Sequence, residues 1–172
     1  MAKNLVKTWY HRCPNCQHEL VVDDTSAKCP SCGFLFYLNP APCVTVLITN
    51  DKNELLWTIR GIQPQKGEWD LPGGFVNPDE SIQQAAIRET KEELNLDVEI
   101  VSLLDNIPDF YGQMQQPTLN FVFLVKVISG QPKPQDDVTE IKWLSLDSLP
   151  SPIAFKNATI AIKRYQEYQG KK

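Results

Sequence analysis

Two groups of residues in this chain have the types and spacing to do chemistry. Glu89, Glu92 and Glu93 fall at i, i+3 and i+4 within Ser81 to Leu94, a run without Pro or Gly and rich in Ala, Gln, Glu and Lys. Such a run reads as a helix, and at that spacing the three carboxylates share one face within a turn. Crowded acids repel one another at neutral pH. Hard divalent cations relieve the repulsion, because Mg2+ is held by a few carboxylates together with waters and substrate phosphates. The second group is Cys13 and Cys16 in CPNC and Cys29 and Cys32 in CPSC, with twelve residues between the pairs. This pattern predicts a tetrahedral Zn2+ site of four thiolates. Two disulfides or a redox pair are the competing readings. Both fit poorly with an N-terminus that lacks the apolar core of a secretory signal and with the absence of a thioredoxin-like pattern around either CxxC.

The glutamates stand inside a longer pattern, GGFVNPDESIQQAAIRETKEELNL from Gly73 to Leu96. Its two glycines let the backbone turn tightly and approach a ligand, and Asn77-Pro78-Asp79 reads as a turn. The segment resembles the signature of the Nudix hydrolases, G-x5-E-x7-R-E-U-x-E-E-x-G-U with U apolar. Gly74, Glu80, Arg88-Glu89, Glu92-Glu93 and Leu96 stand at the required offsets. Thr90 replaces an aliphatic residue but keeps a methyl group for packing. Asn95 replaces the last glycine, and Asn is the residue best suited to take over a left-handed helix C-cap. The preceding Gly67-Glu68-Trp69-Asp70-Leu71-Pro72-Gly73-Gly74 resembles the G-x-W-x-L-P-G-G approach to that signature, with Trp69 expected to pack beneath the loop.

The resemblance implies an α/β fold, the Nudix α/β/α sandwich with a mixed sheet between helices. It implies hydrolysis of a nucleoside diphosphate linked to another moiety, in which water attacks one phosphorus and Mg2+ or Mn2+ neutralises the developing charge. It casts Glu92 and Glu93 as metal ligands, Gly73 as a ligand through its carbonyl, and Glu89 as either general base or ligand. Arg88 would orient Glu89, and Glu80 lies at the loop end of the site. Some family members use an acid on a late loop instead, for which Asp136, Asp137 and Glu140 are available and Asp137 is the choice here. Arg60, at a strand end, sits where family members commonly contact substrate phosphates, and a solvated strand-end arginine is the plain alternative.

These residues need elements to position them. Residues 1–39 read as a zinc ribbon, with strands at Glu19–Asp23 and Phe34–Leu38 and with Gly33 easing the second knuckle. So few residues need the metal for stability. His11 and His18 flank a site that the cysteines already complete, and read as surface residues. Asn39-Pro40-Ala41-Pro42 reads as a stiff boundary that ends any strand, and residues 40–172 as the Nudix domain. There, Cys43–Thr49 reads as a buried central strand, with Cys43 a core residue, and Glu54–Arg60 as its hairpin partner after the turn at Asn50–Asn53. Val98–Leu104 and Leu119–Ile128 read as strands. The polar segment between them, Asp105–Thr118, reads as a long loop whose Phe110 and Tyr111 wall a base pocket. A Pro-rich loop at Gly130–Asp136, a short strand at Ile141–Leu144 and an amphipathic helix at Pro152–Gln169 close the chain.

The chain has 172 residues, 42% of them hydrophobic, and a net charge of −4 with scattered Lys and Arg. Only the terminal Gly170-Lys171-Lys172 is locally basic, and it reads as a frayed tail. No apolar run approaches the ~20 residues of a membrane span, so a soluble cytoplasmic protein with no membrane partner is expected. No basic patch is present for nucleic acid, and only Arg12 and Lys28 lie near the knuckles, so the expected partner is a nucleotide-derived small molecule. The ribbon is left as a lid, a homodimer contact or a wall beside the site. Within the Nudix family an N-terminal ribbon resembles the NADH-pyrophosphatase group and some ADP-ribose or FAD pyrophosphatases. Asp105–Thr118 does not match the segment that marks NADH enzymes, which favours ADP-ribose, FAD or a related dinucleotide. A catalytically silent nucleotide sensor and an RNA-decapping enzyme are the alternatives. Retention of all four box glutamates counts against the first and the sparse basic residues against the second.

Overall fold

The computed structural model describes residues 9–170. The basic tail at Lys171 and Lys172 and the first eight residues of the N-terminal segment lie outside the described residues. The chain divides into two compact units, Met1–Pro40 and Ala41–Lys172.

The first unit is an antiparallel sheet of β1 (Val21–Val22), β2 (Ser26–Lys28) and β3 (Leu35–Tyr37). The strand expected at Glu19–Asp23 shrinks to two residues because Asp23 turns the chain, accepting from the Thr25 and Ser26 amides at 2.8 and 2.6 Å. That turn creates β2, which the sequence reading left out. The two knuckles share one geometry. Cys13 O accepts from Gln17 N–H at 2.9 Å and Cys29 O from Gly33 N–H at 3.1 Å, with φ of 63° at Gln17 and 76° at Gly33. The core is Cys13, Leu20, Ala27 and Cys29, with Tyr10, Val22, Phe34 and Leu38 against it.

The second unit holds a mixed sheet, β4 (Ala41–Ile48), β8 (Gln116–Ser129) and β7 (Asp97–Tyr111) in the order β4-β8-β7. β4 runs parallel to β8, and β7 antiparallel to it. A second, antiparallel sheet has the order β6-β5-β9, from β6 (Trp69–Asp70), β5 (Glu54–Arg60) and β9 (Val138–Ser145). Strand alternation sends successive side chains to opposite faces, and two cores result. Val44, Val46, Ile48, Phe123 and Val125 pack on Ala85, Ala86 and Leu94 of helix α1 (Ile82–Leu94). Leu47, Val122 and Leu124 pack on Ala158, Ala161, Ile162 and Tyr165 of helix α2 (Lys156–Gln169). The mixed sheet therefore has a helix on each face.

The structure corrects several expectations. Asp105–Thr118 is not a long loop: β7 and β8 form one hairpin closed by a turn at 112–115, bent by register shifts between Ile100/Ser102 and Leu103/Asp105. Pro108 is tolerated there because β7 is an edge strand. The prolines of the boundary do not end a strand either, since Pro42 lies within β4 opposite Leu119. Nor is β4 central, being the edge of its sheet, and Glu54–Arg60 is not its hairpin partner: beyond a single bridge between Thr49 and Leu55, β5 pairs with β6 and β9 in the other sheet. The final helix starts at Lys156 rather than Pro152.

Candidate functional site

The exposed edge of β4 is what brings the glycine loop into place. Val44 N–H donates to Gly74 O and Val46 N–H to Pro72 O, each at 2.8 Å, while Val76 N–H donates to Pro42 O at 3.1 Å. The loop thus lies along β4 like a further strand. Gly73 has φ 144°, and a Cβ there would stand 2.0 Å from Val44 O. Gly74 leaves open the space filled by the Glu89 carboxylate, whose Oε1 would be 2.5 Å from an added Cβ. A side chain at Gly73 would therefore meet the backbone of β4, whereas one at Gly74 would displace the Glu89 carboxylate.

Helix α1 supplies the acids. Ser81 and Gln84 form a capping box at its start, and Asn95 ends it in the left-handed conformation at φ 57°, as expected of a residue replacing glycine. Thr90 is buried, and its hydroxyl donates to Ala86 O at 2.7 Å. Arg88 is the hub of the acidic face. Its guanidinium contacts Glu80 through Nε at 3.0 Å and Nη2 at 2.5 Å, Glu89 at 2.7 Å, Glu92 at 2.8 Å and Phe75 O at 3.0 Å. The Arg88 hydrogen bond, then the Asn77 amide, hold the Glu80 carboxyl below its usual range. Burial raises that of Glu89 despite Arg88.

Glu93 is only 5% exposed. Burial, then the charge of Asp137, push its carboxyl well above the usual range, against the Gly73 N–H that donates to it at 3.0 Å. Glu92 differs: its side chain is 48% exposed, drawn outward onto Arg88. Glu89 and Glu93 line a cleft of about 360 Å3, together with Gly73, Gly74, Arg88, Asp136 and Asp137. The late loop reaches the cleft because Lys133 N–H donates to Leu94 O at 3.0 Å and Gln135 N–H to Glu93 O at 2.8 Å. The buried carboxylates offer hard oxygen donors and excess negative charge, a donor set that suits a hard divalent cation. Among the described residues the box carboxylates do not converge as closely as the cysteine sulfurs do.

The opposite wall is aromatic and cationic. Arg60 donates to Asp70 at 3.2 Å and to Pro64 O at 2.9 Å, and lies 5.0 Å over the Phe155 ring. It is a fixed part of the cleft rather than a solvated strand end. Burial lifts the Asp70 carboxyl to about 6, opposed by Arg60. Tyr111 meets Phe75 edge-on at 5.1 Å and Phe155 at 5.6 Å, and Phe110 lines the cleft beside it. Sequence reasoning missed Asp70, Phe155 and the buried Thr45, Asn120 and Asn157 of the floor. Only Asp70, inside the motif approach, carried a local signal. Trp69, expected beneath the glycine loop, packs against the α2 core.

In the first unit, the four cysteine ligand atoms lie within 4.8 Å of one another. Cys13 and Cys32 sulfurs are 3.5 Å apart, as are those of Cys16 and Cys29, and all are free thiols. Zn–S bonds of about 2.3 Å at tetrahedral angles space sulfurs by roughly 3.8 Å, so the cluster fits zinc. His11 and His18 are exposed, and Cys43 is buried in the second unit. Among the described residues no helix is long and apolar enough to cross a membrane.

Comparison with known proteins bears on both units. The family model described as NUDIX domain matches residues 39–165. The chain is 35% identical over 136 residues to an ADP-ribose pyrophosphatase of Methanocaldococcus jannaschii, covering 79% of each. It is 31% identical over 144 residues to the NAD-capped RNA hydrolase NudC of Pseudomonas aeruginosa, covering 80% of this chain and 49% of that protein. The chain thus spans about half the length of that relative. Among solved structures, a NUDIX hydrolase from Nitrosomonas europaea superposes with TM-score 0.74 at 29% identity, covering 92% of each chain.

Proposed function

This chain belongs to the Nudix family, and from that premise we propose that it hydrolyses the pyrophosphate bond of an ADP-ribose-like dinucleotide in the cytoplasm. In this reading residues 1–39 are a ribbon that holds structural Zn2+ on Cys13, Cys16, Cys29 and Cys32, and residues 40–172 are the catalytic domain. The observation that carries the proposal is the convergence of Glu89, Glu93, Gly73 and Asp137 on one cleft that also holds Arg60. Similarity to an ADP-ribose pyrophosphatase over most of the chain supports this substrate ahead of FAD and NADH.

Glu89, Glu92, Glu93 and the Gly73 carbonyl would hold Mg2+ or Mn2+. When bound, the cation supplies positive charge for the diphosphate oxygens as the bond to phosphorus breaks. The remaining work falls to the protein. Glu89 accepts the proton of the attacking water, with its carboxylate aimed by Arg88, and Asp137 is the alternative base across the cleft. Burial that raises the Glu89 carboxyl brings it closer to the range a general base needs. Arg60, braced by Asp70 and Phe155, binds the phosphate oxygens. Tyr111 and Phe110 bound the space for a ring. Water and ADP-ribose then give AMP and ribose 5-phosphate.

The test is a panel of ADP-ribose, FAD, NADH, diadenosine polyphosphates and nucleoside triphosphates, assayed with Mg2+ or Mn2+ for release of mononucleotide. ADP-ribose is expected to show the highest kcat/KM. Absence of turnover on every diphosphate-linked compound would remove the proposal. An NAD-capped RNA belongs in the same panel because of the similarity to NudC, and its preference over ADP-ribose would replace the small-molecule reading.

A further inference from the structure

The cleft floor contains a hydrogen-bond chain whose direction is set by the backbone. Asn157 Oδ1 accepts from the Ala158 amide at 2.8 Å, so its NH2 faces the other way and donates to Thr45 Oγ1 at 3.3 Å. With that oxygen accepting, the Thr45 hydroxyl proton goes to Asn120 Oδ1 at 3.2 Å. The chain therefore ends on the Asn120 NH2, which has no hydrogen-bond partner among the described residues. Asn120 is 7% exposed and lines the cleft. Among the described residues the one side-chain polar atom sealed from solvent without a partner is Trp57 Nε1, so the Asn120 NH2 keeps an opening, and the opening is the cleft. A buried amide donor left unpaired is costly, and a site built around one selects ligands that offer it an acceptor.

The surroundings define the kind of acceptor. Register places Cys43 opposite Asn120, and Cys43, Thr45, Thr118, Asn120 and Asn157 are uncharged. The charged cleft residue that register places beside them is Asp109, opposite Thr118, and its carboxylate would repel an anion. A phosphate would leave its charge uncompensated among these groups, whereas a neutral oxygen or nitrogen would not.

We propose that Asn120, oriented through Thr45 and Asn157, donates a hydrogen bond from Nδ2 to a neutral acceptor on the nucleoside or sugar part of the substrate. This rests on the reading of the cleft as a site for an ADP-ribose-like dinucleotide. Asn120 is a specificity-determining residue, and Thr45 and Asn157 are positioning residues that prevent its amide from turning over.

AMP and ribose 5-phosphate, the two halves of ADP-ribose, are the probes. Calorimetric titration of each into the full chain, with Mg2+ present, reads the subsite without turnover. Asn120→Ala should weaken at least one by about tenfold, the usual size for a lost neutral hydrogen bond. Loss for AMP alone places the acceptor on the nucleoside, loss for ribose 5-phosphate alone places it on the second sugar, and loss for both places it on a ribose hydroxyl or ring oxygen of the kind that each probe carries. Asn120→Asp, which presents acceptor to acceptor, should weaken binding further. Thr45→Val, which frees the amide to turn over, should fall between wild type and Asn120→Ala. A measurement independent of variant folding is the 15N spectrum of the wild type, where the Asn120 NH2 resonances should shift on ligand addition. Affinities within twofold of wild type for both probes in Asn120→Ala, or unmoved NH2 resonances at saturation, overturn the proposal, as does failure of the wild type to bind either probe. Hydrolysis of ADP-ribose by the wild type is read separately, so failure of the functional reading and failure of this subsite are told apart.

Discussion

Glu93→Gln should make the metal-free protein more stable while removing its activity. Glu93 is nearly sealed from solvent, has Asp137 and Glu89 as neighbouring acids, and receives one backbone hydrogen bond, from Gly73. Gln can accept the same bond through Oε1, so the substitution deletes the charge and keeps the shape. Each unit by which folding raises a carboxyl pKa opposes stability by about 1.4 kcal/mol above that pKa. Allowing for relaxation and water entry, relief of roughly 1–2 kcal/mol is expected at neutral pH, or an increase in Tm of about 3–8 °C. The pH dependence has a definite sign. A carboxyl raised from 4.5 binds its proton more tightly folded than unfolded. Its adverse contribution is therefore absent below pH 4.5 and grows as pH rises through the folded value. Metal-free wild type should lose stability over that rise, and Glu93→Gln should flatten the slope. Added Mg2+ should raise the Tm of wild type by mass action and move the variant little. Turnover should fall by about two to three orders of magnitude with KM much less affected. Melting curves with EDTA and with Mg2+ across pH, together with steady-state kinetics, test all of this. A variant with a lower Tm in EDTA and near-normal turnover would refute the reasoning.

Glu92→Gln should also lower kcat, although its exposed carboxylate leaves metal-free stability near wild type; unchanged turnover would leave Glu92 as an Arg88 partner alone. The two motif glycines should fail differently. Gly73→Ala meets the Val44 backbone at positive φ and should cost several °C of Tm. Gly74→Ala meets only the Glu89 carboxylate and should lower kcat while leaving Tm nearly unchanged. Metal analysis should find one Zn2+ per chain, lost in Cys13→Ser and kept in Cys43→Ser.

The parts that were legible are those in which local chemistry and tertiary structure agree. Ser81, Gln84 and Asn95 cap a helix whose buried stripe, Ala86, Thr90 and Leu94, follows its own periodicity. Glu54–Arg60 is an apolar run bounded by turn residues, and β5 occupies those residues, although it pairs in a different sheet from β4. The CxxC pairs gather four sulfurs because each pair closes through one short turn. The errors arose where partners lie far away in sequence. Polar residues and prolines at 105–118 argue for a loop, yet β8 pairs along the whole segment to Tyr111 opposite Gln116, and an edge position excuses Pro108. Pro42 could be read as a strand breaker only while the loop at 72–76, which takes over the hydrogen bonding of the β4 edge, was out of view.

The same non-local logic explains why half of the cleft was invisible in the sequence. Along the face of β4 and β8 turned toward helix α2, the residues run Cys43, Thr45, Leu47 and Thr118, Asn120, Val122, Leu124. The far ends are apolar because α2 covers them with Ala158, Ala161 and Ile162. The near ends are polar because the helix begins only at Lys156, so Phe155 and Asn157 edge the cleft instead of sealing it. In sequence, Thr45 and Asn120 each look like an isolated polar interruption of a β-branched strand. Parallel pairing of the two strands turns the interruptions into one floor, and the onset of α2 decides where that floor stops being core and becomes a binding surface.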